Sequence, residues 1–190
     1  MTEPPKDMTA TSIPTSRVPP VGVAPTGIPA SRGSVSTVSK VIRASAEQLY
    51  DAFITPSALV DWLPPGEMTA AIHLFDARVG GGYRMSLYHP PAERTAEGQS
   101  PRGKTCEHED VVTVRFAVLA RPRRIVEKVI FHSDDPAFAG EMTLTITFDK
   151  APGGTLVTLL FENMPPGLRP EDNEAGSRQS LEQLAHWIEG

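Results

Sequence analysis

The chain has 190 residues with 18 basic and 23 acidic side chains, giving a formal net charge of -5. An acidic balance argues against broad nucleic-acid binding, which needs a basic face. The single cysteine, Cys106, excludes an internal disulfide and a multi-cysteine metal site, and it fits a reducing compartment. No apolar run approaches the roughly 18 residues that span a bilayer, and no secretory signal is visible. We therefore expect one ordinary cytoplasmic domain.

Residues 1–34 differ in composition from the rest of the chain. They contain seven of the 19 prolines and no Phe, Trp or Tyr. Proline removes backbone donors and restricts its neighbours, and this stretch has too little apolar surface to offset the entropy of ordering. We predict a disordered Pro-rich tail over 1–34 and a folded domain over 35–190. A polyproline ligand for an SH3- or WW-like partner is the alternative, although no clean repeated PxxP pattern is present.

The domain begins with a short β-like run, residues 38–42, followed by two helix signals. Ser45 and Gln48 form a capping box, in which the serine caps the helix and the glutamine reaches back. Thr55 and Pro56 then give a cap and a first-turn proline for a second short helix that carries Trp62. Two short helices meeting at a sharp corner are therefore expected after the first strand.

About six strands and a long helix complete the chain. The candidate strands are residues 68–75, 83–88, 111–119, 124–131, 142–148 and 155–162. Residues 89–110 are expected to form a polar loop, and Val112, Val114, Phe116 and Val118 to share one face of a strand. Pro170 with two acidic neighbours predicts a helix start, and Leu181 and Leu184 belong to the apolar stripe of that helix. Hairpin-linked strands imply an antiparallel sheet, which only this helix is long enough to cover.

This order of elements resembles the helix-grip fold of the START-like, or SRPBCC, superfamily. Several phrases are similar to the branch named for the C-terminal domain of the heat-shock protein 90 ATPase activator. They occupy residues 41–50, 59–64, 78–81, 120–126 and 153–155. The resemblance covers roughly residues 36–189 and implies an α+β fold, in which a curved antiparallel sheet of six to seven strands grips the C-terminal helix. It does not specify a function, because such folds host carriers, cyclases, hydroxylase components and co-chaperones.

The resemblance also implies a mostly apolar cavity between the sheet and the helix. A strongly curved sheet and a straight helix cannot touch along their whole lengths, and any gap is lined by the inward strand faces. The candidate lining residues are Trp62, Tyr83, Met85, Leu87, Val112, Val114, Phe116, Val129, Leu144, Ile146, Val157, Leu159, Leu181 and Leu184. The alternative is that they pack as a solid core.

Glu127 breaks the apolar pattern of its strand. It falls on the face that also carries Ile125, Val129 and Phe131, where an unpaired carboxylate would cost several kcal/mol. Our hypothesis is that Glu127 is a polar anchor or an acid–base group in the pocket. The alternative is a strand slip or bulge that turns it to solvent beside Lys128.

Residues 98–105 satisfy the P-loop pattern GxxxxGK[ST] but not its structural context. A phosphate loop needs a buried strand before it and a helix after it, whereas polar residues precede this stretch and three carboxylates follow it. Cys106, His108, Glu109 and Asp110 lack the spacing of a zinc shell. Gly80–Gly82 is interpreted as a bulge or the start of a strand. We therefore expect no nucleotide, cofactor or metal.

The function we expect is binding of a small hydrophobic or amphipathic ligand in the internal cavity. One alternative is a co-chaperone-like interaction module, which would use an exposed apolar patch. The other is a cyclase- or hydrolase-like enzyme using Glu127 with Tyr83 or Arg84. A homodimer is left open, because Leu156 and Leu160 alternate with the inward residues of their strand.

Overall fold

The computed structural model describes residues 33–90 and 109–190. The Pro-rich tail, the GxxxxGK[ST] stretch and Cys106 lie outside the described residues, apart from Gly33 and Ser34. The strands are β1 (Ser34–Ile42), β2 (Thr69–Asp76), β3 (Gly82–Tyr88), β4 (Glu109–Ala120), β5 (Arg124–Phe131), β6 (Glu141–Ala151) and β7 (Gly154–Met164). The helices are α1 (Ala46–Phe53), α2 (Pro56–Trp62) and α3 (Pro170–Glu189), with a 3-10 turn at Pro136–Phe138.

The strands form one sheet in the order β1-β7-β6-β5-β4-β3-β2. All neighbouring pairs are antiparallel. β1 joins one edge beside the last strand, while β2 to β7 follow one another as hairpins. The alternation of apolar and polar residues places one face of each strand toward the helices, so the predicted α+β helix-grip architecture is confirmed.

The helices α1 and α2 form a corner that is held by aromatic packing. The predicted capping box is present, since Ser45 accepts from the Gln48 amide and Gln48 accepts from the Ser45 amide. The Trp62 indole Nε1 donates to the carbonyl of Ala52 at 3.1 Å. The ring of Trp62 lies 4.6 Å from that of Phe53, which in turn contacts Phe148 of β6. These contacts fix the corner against one end of the sheet.

The long helix α3 runs alongside β1 and is tied to the chain after α2. Near its start, the Asn173 side-chain amide donates to Ser36 Oγ at 3.0 Å, and near its end Glu189 accepts from the Arg43 amide at 3.0 Å. Between them, Ser180 Oγ donates to the Leu63 carbonyl at 2.7 Å. Of the helices in the described part of the chain, none is both long and apolar enough to cross a membrane.

The face predicted for the end of β4 is wrong at Val118. The register between β4 and β5 shifts between Phe116 and Val118, so one extra residue is accommodated there. Such a bulge reverses the alternation beyond it. Leu119 consequently packs against the core, in line with its partner Ile125, in place of Val118.

The predicted loop over 89–110 is wrong at its C-terminal end, where its last two residues belong to β4. β4 begins at Glu109, because its first residues pair with the last residues of β3, Tyr88 with Glu109 and Leu87 with Asp110. Asp110 is buried on the inner face, where His89 lies 3.2 Å from its carboxylate. Glu109 and Asp110 are polar, so the sequence gives no sign of a strand here. Pairing with β3 extends β4 to include them.

Removal of the capping box tests the local basis of the corner. Ser45→Ala should lower the free energy of unfolding by about 1 kcal/mol, because the first turn of α1 loses its side-chain acceptor. The measurement is urea unfolding followed by circular dichroism. Ser39→Ala, at an exposed position of β1, is the control and should change stability by less than about 0.5 kcal/mol. Equal effects at the two serines would contradict the capping role.

Candidate functional site

A cavity of about 220 Å³ lies between the inner face of the sheet, the α1–α2 corner and α3. Strands β3 to β7 supply its floor, which is almost entirely apolar. The strand residues that line it are Tyr83, Met85, Leu87, Val112, Val114, Glu127, Val129, Phe131, Met142, Leu144, Leu159 and Phe161. The helices and their connections contribute Phe53, Leu59, Trp62, Leu63, Pro65, Leu168, Asp172, Asn173, Gly176, Ser177 and Ser180.

The cavity exists because α3 is amphipathic over only half of its length. Its buried residues are Ser180, Leu181, Leu184 and Ala185, all in the C-terminal half. Residues 170–179 contain no large apolar side chain, and the residues of this half that face the cavity are Asp172, Asn173, Gly176 and Ser177. The sheet beneath that half therefore meets no side chains that could fill the gap.

Ten of the predicted lining residues border the cavity. They are Trp62, Tyr83, Met85, Leu87, Val112, Val114, Glu127, Val129, Leu144 and Leu159. The other five, Phe116, Ile146, Val157, Leu181 and Leu184, are fully buried away from it. They lie where the apolar half of α3 and the α1–α2 corner fill the space, so this end is a solid core. Whether the ten residues bind a ligand remains a proposal.

Sequence reasoning missed the helical lining and the far end of the floor. Phe131 and Phe161 simply continue the alternation of Val129 and Leu159 along β5 and β7. The missing signal was in α3, whose first ten residues are polar or small although the helix must cover a sheet. That contrast within one helix would have located the cavity at its N-terminal half.

Glu127 lies inside the cavity, as the sequence hypothesis requires. Its side chain is on the inner face of β5 between Phe116 of β4 and Leu144 of β6, its cross-strand partners. The residue is 2% exposed, and its Oε1 atom has no hydrogen-bond partner. The alternative that a strand slip turns it to solvent is wrong, because Ile125 and Val129 are buried on the same face.

The phenol of Tyr83 is hydrogen-bonded to this carboxyl. Burial raises the pKa of Glu127 to about 8, while the hydrogen bond from Tyr83 acts in the opposite direction. Burial also raises the pKa of Tyr83 well above its ordinary value, and the neighbouring Glu127 adds to that shift. At neutral pH the pair therefore consists mainly of a phenol and a protonated carboxyl.

Close approach of two strands positions Tyr83. Gly82 precedes it with a φ of 157°, and a Cβ atom at Gly82 would overlap the carbonyl oxygen of Val114. This glycine begins β3, in agreement with the interpretation of 80–82 as the start of a strand. The Tyr83 ring then packs 5.9 Å from the ring of Phe116.

Arg84, the other residue considered for acid–base chemistry, lies on the opposite face of β3. It is exposed and does not border the cavity, because successive residues of a strand point to opposite faces. Only the Tyr83–Glu127 pair of that hypothesis is inside the pocket.

An antiparallel sheet with a long C-terminal helix across one face defines the helix-grip class, the START-like or SRPBCC superfamily. The family model of Activator of Hsp90 ATPase homolog 1-like proteins matches residues 43–189. The chain therefore belongs to the family of Activator of Hsp90 ATPase homolog 1-like proteins.

Solved structures agree with this assignment. A protein of Chromobacterium violaceum is 31% identical, with a TM-score of 0.67, over 82% of this chain and 97% of that one. The AHSA1-like protein of Aeromonas hydrophila is 18% identical, with a TM-score of 0.59, over 82% of this chain and 92% of that one. The AHSA1 protein of Silicibacter pomeroyi is 16% identical, with a TM-score of 0.61, over 82% and 97%. The last two show the fold alone. No curated protein matches the chain.

The buried carboxyl should make stability depend on pH in a defined direction. The folded protein holds the Glu127 proton up to a pKa of about 8, whereas the ordinary pKa is 4.5. The free energy of unfolding should therefore fall as pH rises between these values, by at most about 1.4 kcal/mol per pH unit, and level off above them. Glu127→Gln should remove this component, as measured by urea unfolding from pH 5 to pH 9.

Glu141→Gln is the matched control for that series. Glu141 is exposed on β6, where it lies 3.6 Å from Arg115, and its removal should leave the slope between pH 5 and pH 8 as in the unmodified protein. The buried carboxyl would be excluded as the cause if Glu127→Gln retained the full slope.

Substitution of Gly176 tests whether packing around α3 requires a glycine at this position of the helix. A Cβ at this position would approach nothing closer than Pro65, at 3.8 Å. Gly176→Ala should therefore raise the free energy of unfolding by about 0.5–1 kcal/mol, because glycine is a poor helix former. Ala175→Gly, at an exposed position one residue earlier, should lower it by a similar amount in the same thermal-unfolding assay. A destabilised Gly176→Ala protein would show that packing requires the glycine.

Proposed function

We propose that this protein binds a small, largely apolar ligand in the cavity beneath the N-terminal half of α3. The observation that carries the proposal is the buried Oε1 atom of Glu127, which has no hydrogen-bond partner although its residue lines a largely apolar cavity. Buried polar groups are ordinarily paired, and each exception calls for a partner. A bound molecule with an apolar body and a polar group supplies that partner.

The size of the cavity bounds the ligand. At about 220 Å³ it exceeds the roughly 150 Å³ of a cavity that holds benzene and falls below the roughly 300 Å³ at which drug-sized pockets begin. A one- or two-ring compound, or a short branched chain, fits these limits. A long acyl chain or a large polycyclic ligand exceeds this volume and would extend out of the pocket.

Native mass spectrometry of gently purified protein, followed by solvent extraction, tests the proposal. A discrete added mass would show an occupied cavity and identify the ligand. A bare mass, under conditions in which a control carrier keeps its ligand, would oppose it. The same spectrum reports whether the protein is a homodimer. We propose this second possibility because Leu156 and Leu160 lie on the outer face of β7, where they are only half-buried.

A cavity-filling variant gives a second test. Leu144 of β6 is half-buried and forms part of the floor. Leu144→Trp should abolish the added mass, because the larger ring occupies the ligand's volume. Leu156→Trp, on the outer face of β7, should retain the added mass. Both variants are checked for folding by thermal unfolding, since overpacking is destabilising. Retention of the ligand by a folded Leu144→Trp protein would rule out this cavity as its site.

An interaction module directed at a chaperone is the second candidate. The description of the family favours it, as do Val35 and Val41, two exposed apolar residues on the edge strand β1. A bare mass together with specific binding of a heat-shock protein 90 ATPase, lost in Val41→Lys, would support this function over ligand binding. For both candidate functions we propose a cytoplasmic location.

An enzyme of the cyclase or hydrolase type is favoured by one feature, the Tyr83–Glu127 pair. Two groups with raised pKa values inside a pocket are able to transfer protons to and from a substrate. A bell-shaped dependence of kcat/KM on pH, lost in Glu127→Gln, would support catalysis.

A further inference from the structure

The polar pair Tyr83–Glu127 lies on the side of the cavity that borders the solid core. On one side of Glu127 are Phe116 and Ile125, both fully buried and outside the cavity lining. The most exposed residue of the lining is Asp172, on the first turn of α3. A ligand that enters on this side would reach Glu127 with its leading end.

A count of protons shows what this end of the cavity offers. A protonated carboxyl and a phenol carry two O–H groups between them. One O–H is used in the hydrogen bond that joins Tyr83 to Glu127. If Tyr83 donates, the second O–H is that of the Glu127 carboxyl, whose Oε1 atom has no hydrogen-bond partner. If Glu127 donates, the second O–H is that of the phenol. Whichever of the two groups donates to the other, the pair retains one O–H for a ligand.

The charge of the lining limits the ligand further. Among the described residues that border the cavity, the ionisable ones are Tyr83, Glu127 and Asp172, and none of them is cationic. A carboxylate or phosphate ligand would find no cation in the lining, since Arg169 pairs with Asp172 at 2.6 Å and does not itself border the cavity. An ammonium ligand would require Glu127 to ionise among apolar side chains, and two buried charges are costly to desolvate. A neutral group avoids both penalties.

We propose that the ligand is a neutral molecule whose leading end carries a hydrogen-bond acceptor, such as a ketone, ester or amide carbonyl, that accepts from the Tyr83–Glu127 pair. This inference rests on the proposed ligand-binding function and specifies the chemistry of its occupant. The apolar body of the molecule then lies over Val129 and Leu144, and its trailing end faces Asn173 and Ser177 of α3.

Three bicyclic probes of nearly equal shape test this proposal. 1-Tetralone carries a carbonyl, tetralin carries no polar group, and 2-aminotetralin is a cation at neutral pH. Their dissociation constants are measured by calorimetry or ligand-observed NMR at pH 6 and pH 9.5. At pH 6, 1-tetralone should bind roughly three- to tenfold more tightly than tetralin, which is the range that one net hydrogen bond supplies.

Two variants assign the preference to Glu127. In Glu127→Leu the carboxyl is replaced by an apolar side chain of similar size, so the preference for 1-tetralone should disappear at both pH values while tetralin still binds. In the unmodified protein the preference should fall at pH 9.5, where Glu127 loses its proton. In Glu127→Gln the amide remains a donor at every pH, so the preference should persist at pH 9.5. The comparison with Glu127→Gln stands even if Glu127→Leu does not fold.

The outcomes separate this inference from the function on which it rests. If tetralin binds as tightly as 1-tetralone at pH 6, or if the preference survives in Glu127→Leu, the proposed acceptor is wrong while ligand binding stands. Tightest binding of 2-aminotetralin would replace the neutral ligand by a cationic one. If none of the three probes binds the unmodified protein, the proposed ligand chemistry is wrong, and the native mass spectrum alone decides whether the ligand-binding function stands.

Discussion

The polarity of the N-terminal half of α3 determines where this protein has a cavity. α3 must cover the inner face of a seven-stranded sheet, yet all of its buried side chains lie in its C-terminal half. Where Leu181 and Leu184 project, they fill the space above the sheet and the core is solid. Where the helix carries Asn173, Gly176 and Ser177, the sheet remains uncovered and a cavity is left. The position of that cavity thus follows from where the apolar residues of α3 begin.

The cavity and the buried carboxyl destabilise the fold, and the well-packed end of the core compensates for them. An unfilled cavity forfeits dispersion contacts, and a buried carboxyl with a free oxygen forfeits solvation. The solid end offsets them with Trp62, Phe53 and Phe148, whose rings pack edge to face and whose indole is hydrogen-bonded. Filling the cavity and replacing Glu127 with leucine would remove both costs. The occurrence of both features in one place is the physical argument for a binding site.

Alternation along the chain is sufficient to predict most of the fold and the orientation of Glu127. Met142, Ile146 and Phe148 alternate with polar residues, and Glu127 falls between Ile125 and Val129, so their faces can be read directly. The bulge after Phe116 has no such signal, because an inserted residue depends on how β4 pairs with β5. The sequence likewise predicts a loop at Asp110, because its strand is defined by pairing with Leu87 of β3. The extent of the cavity depends on the lack of large apolar side chains in the N-terminal half of α3. A prediction made only from apolar residues does not take account of where such residues are missing.

Membership of the Activator of Hsp90 ATPase homolog 1-like family accounts for the scaffold but leaves the chemistry of the pocket to individual side chains. The two halves of α3 also differ in how they are held. Ser180 is bonded to Leu63, and Gln183 to Gly66, so the C-terminal half is anchored to the segment after α2. The N-terminal half is joined to the sheet through Asn173 and otherwise presents small residues to the cavity. Local opening of a structure begins where few contacts must break. We therefore expect local opening of α3 to begin in its first turns, beside the cavity, while the core beneath Leu181 and Leu184 stays intact.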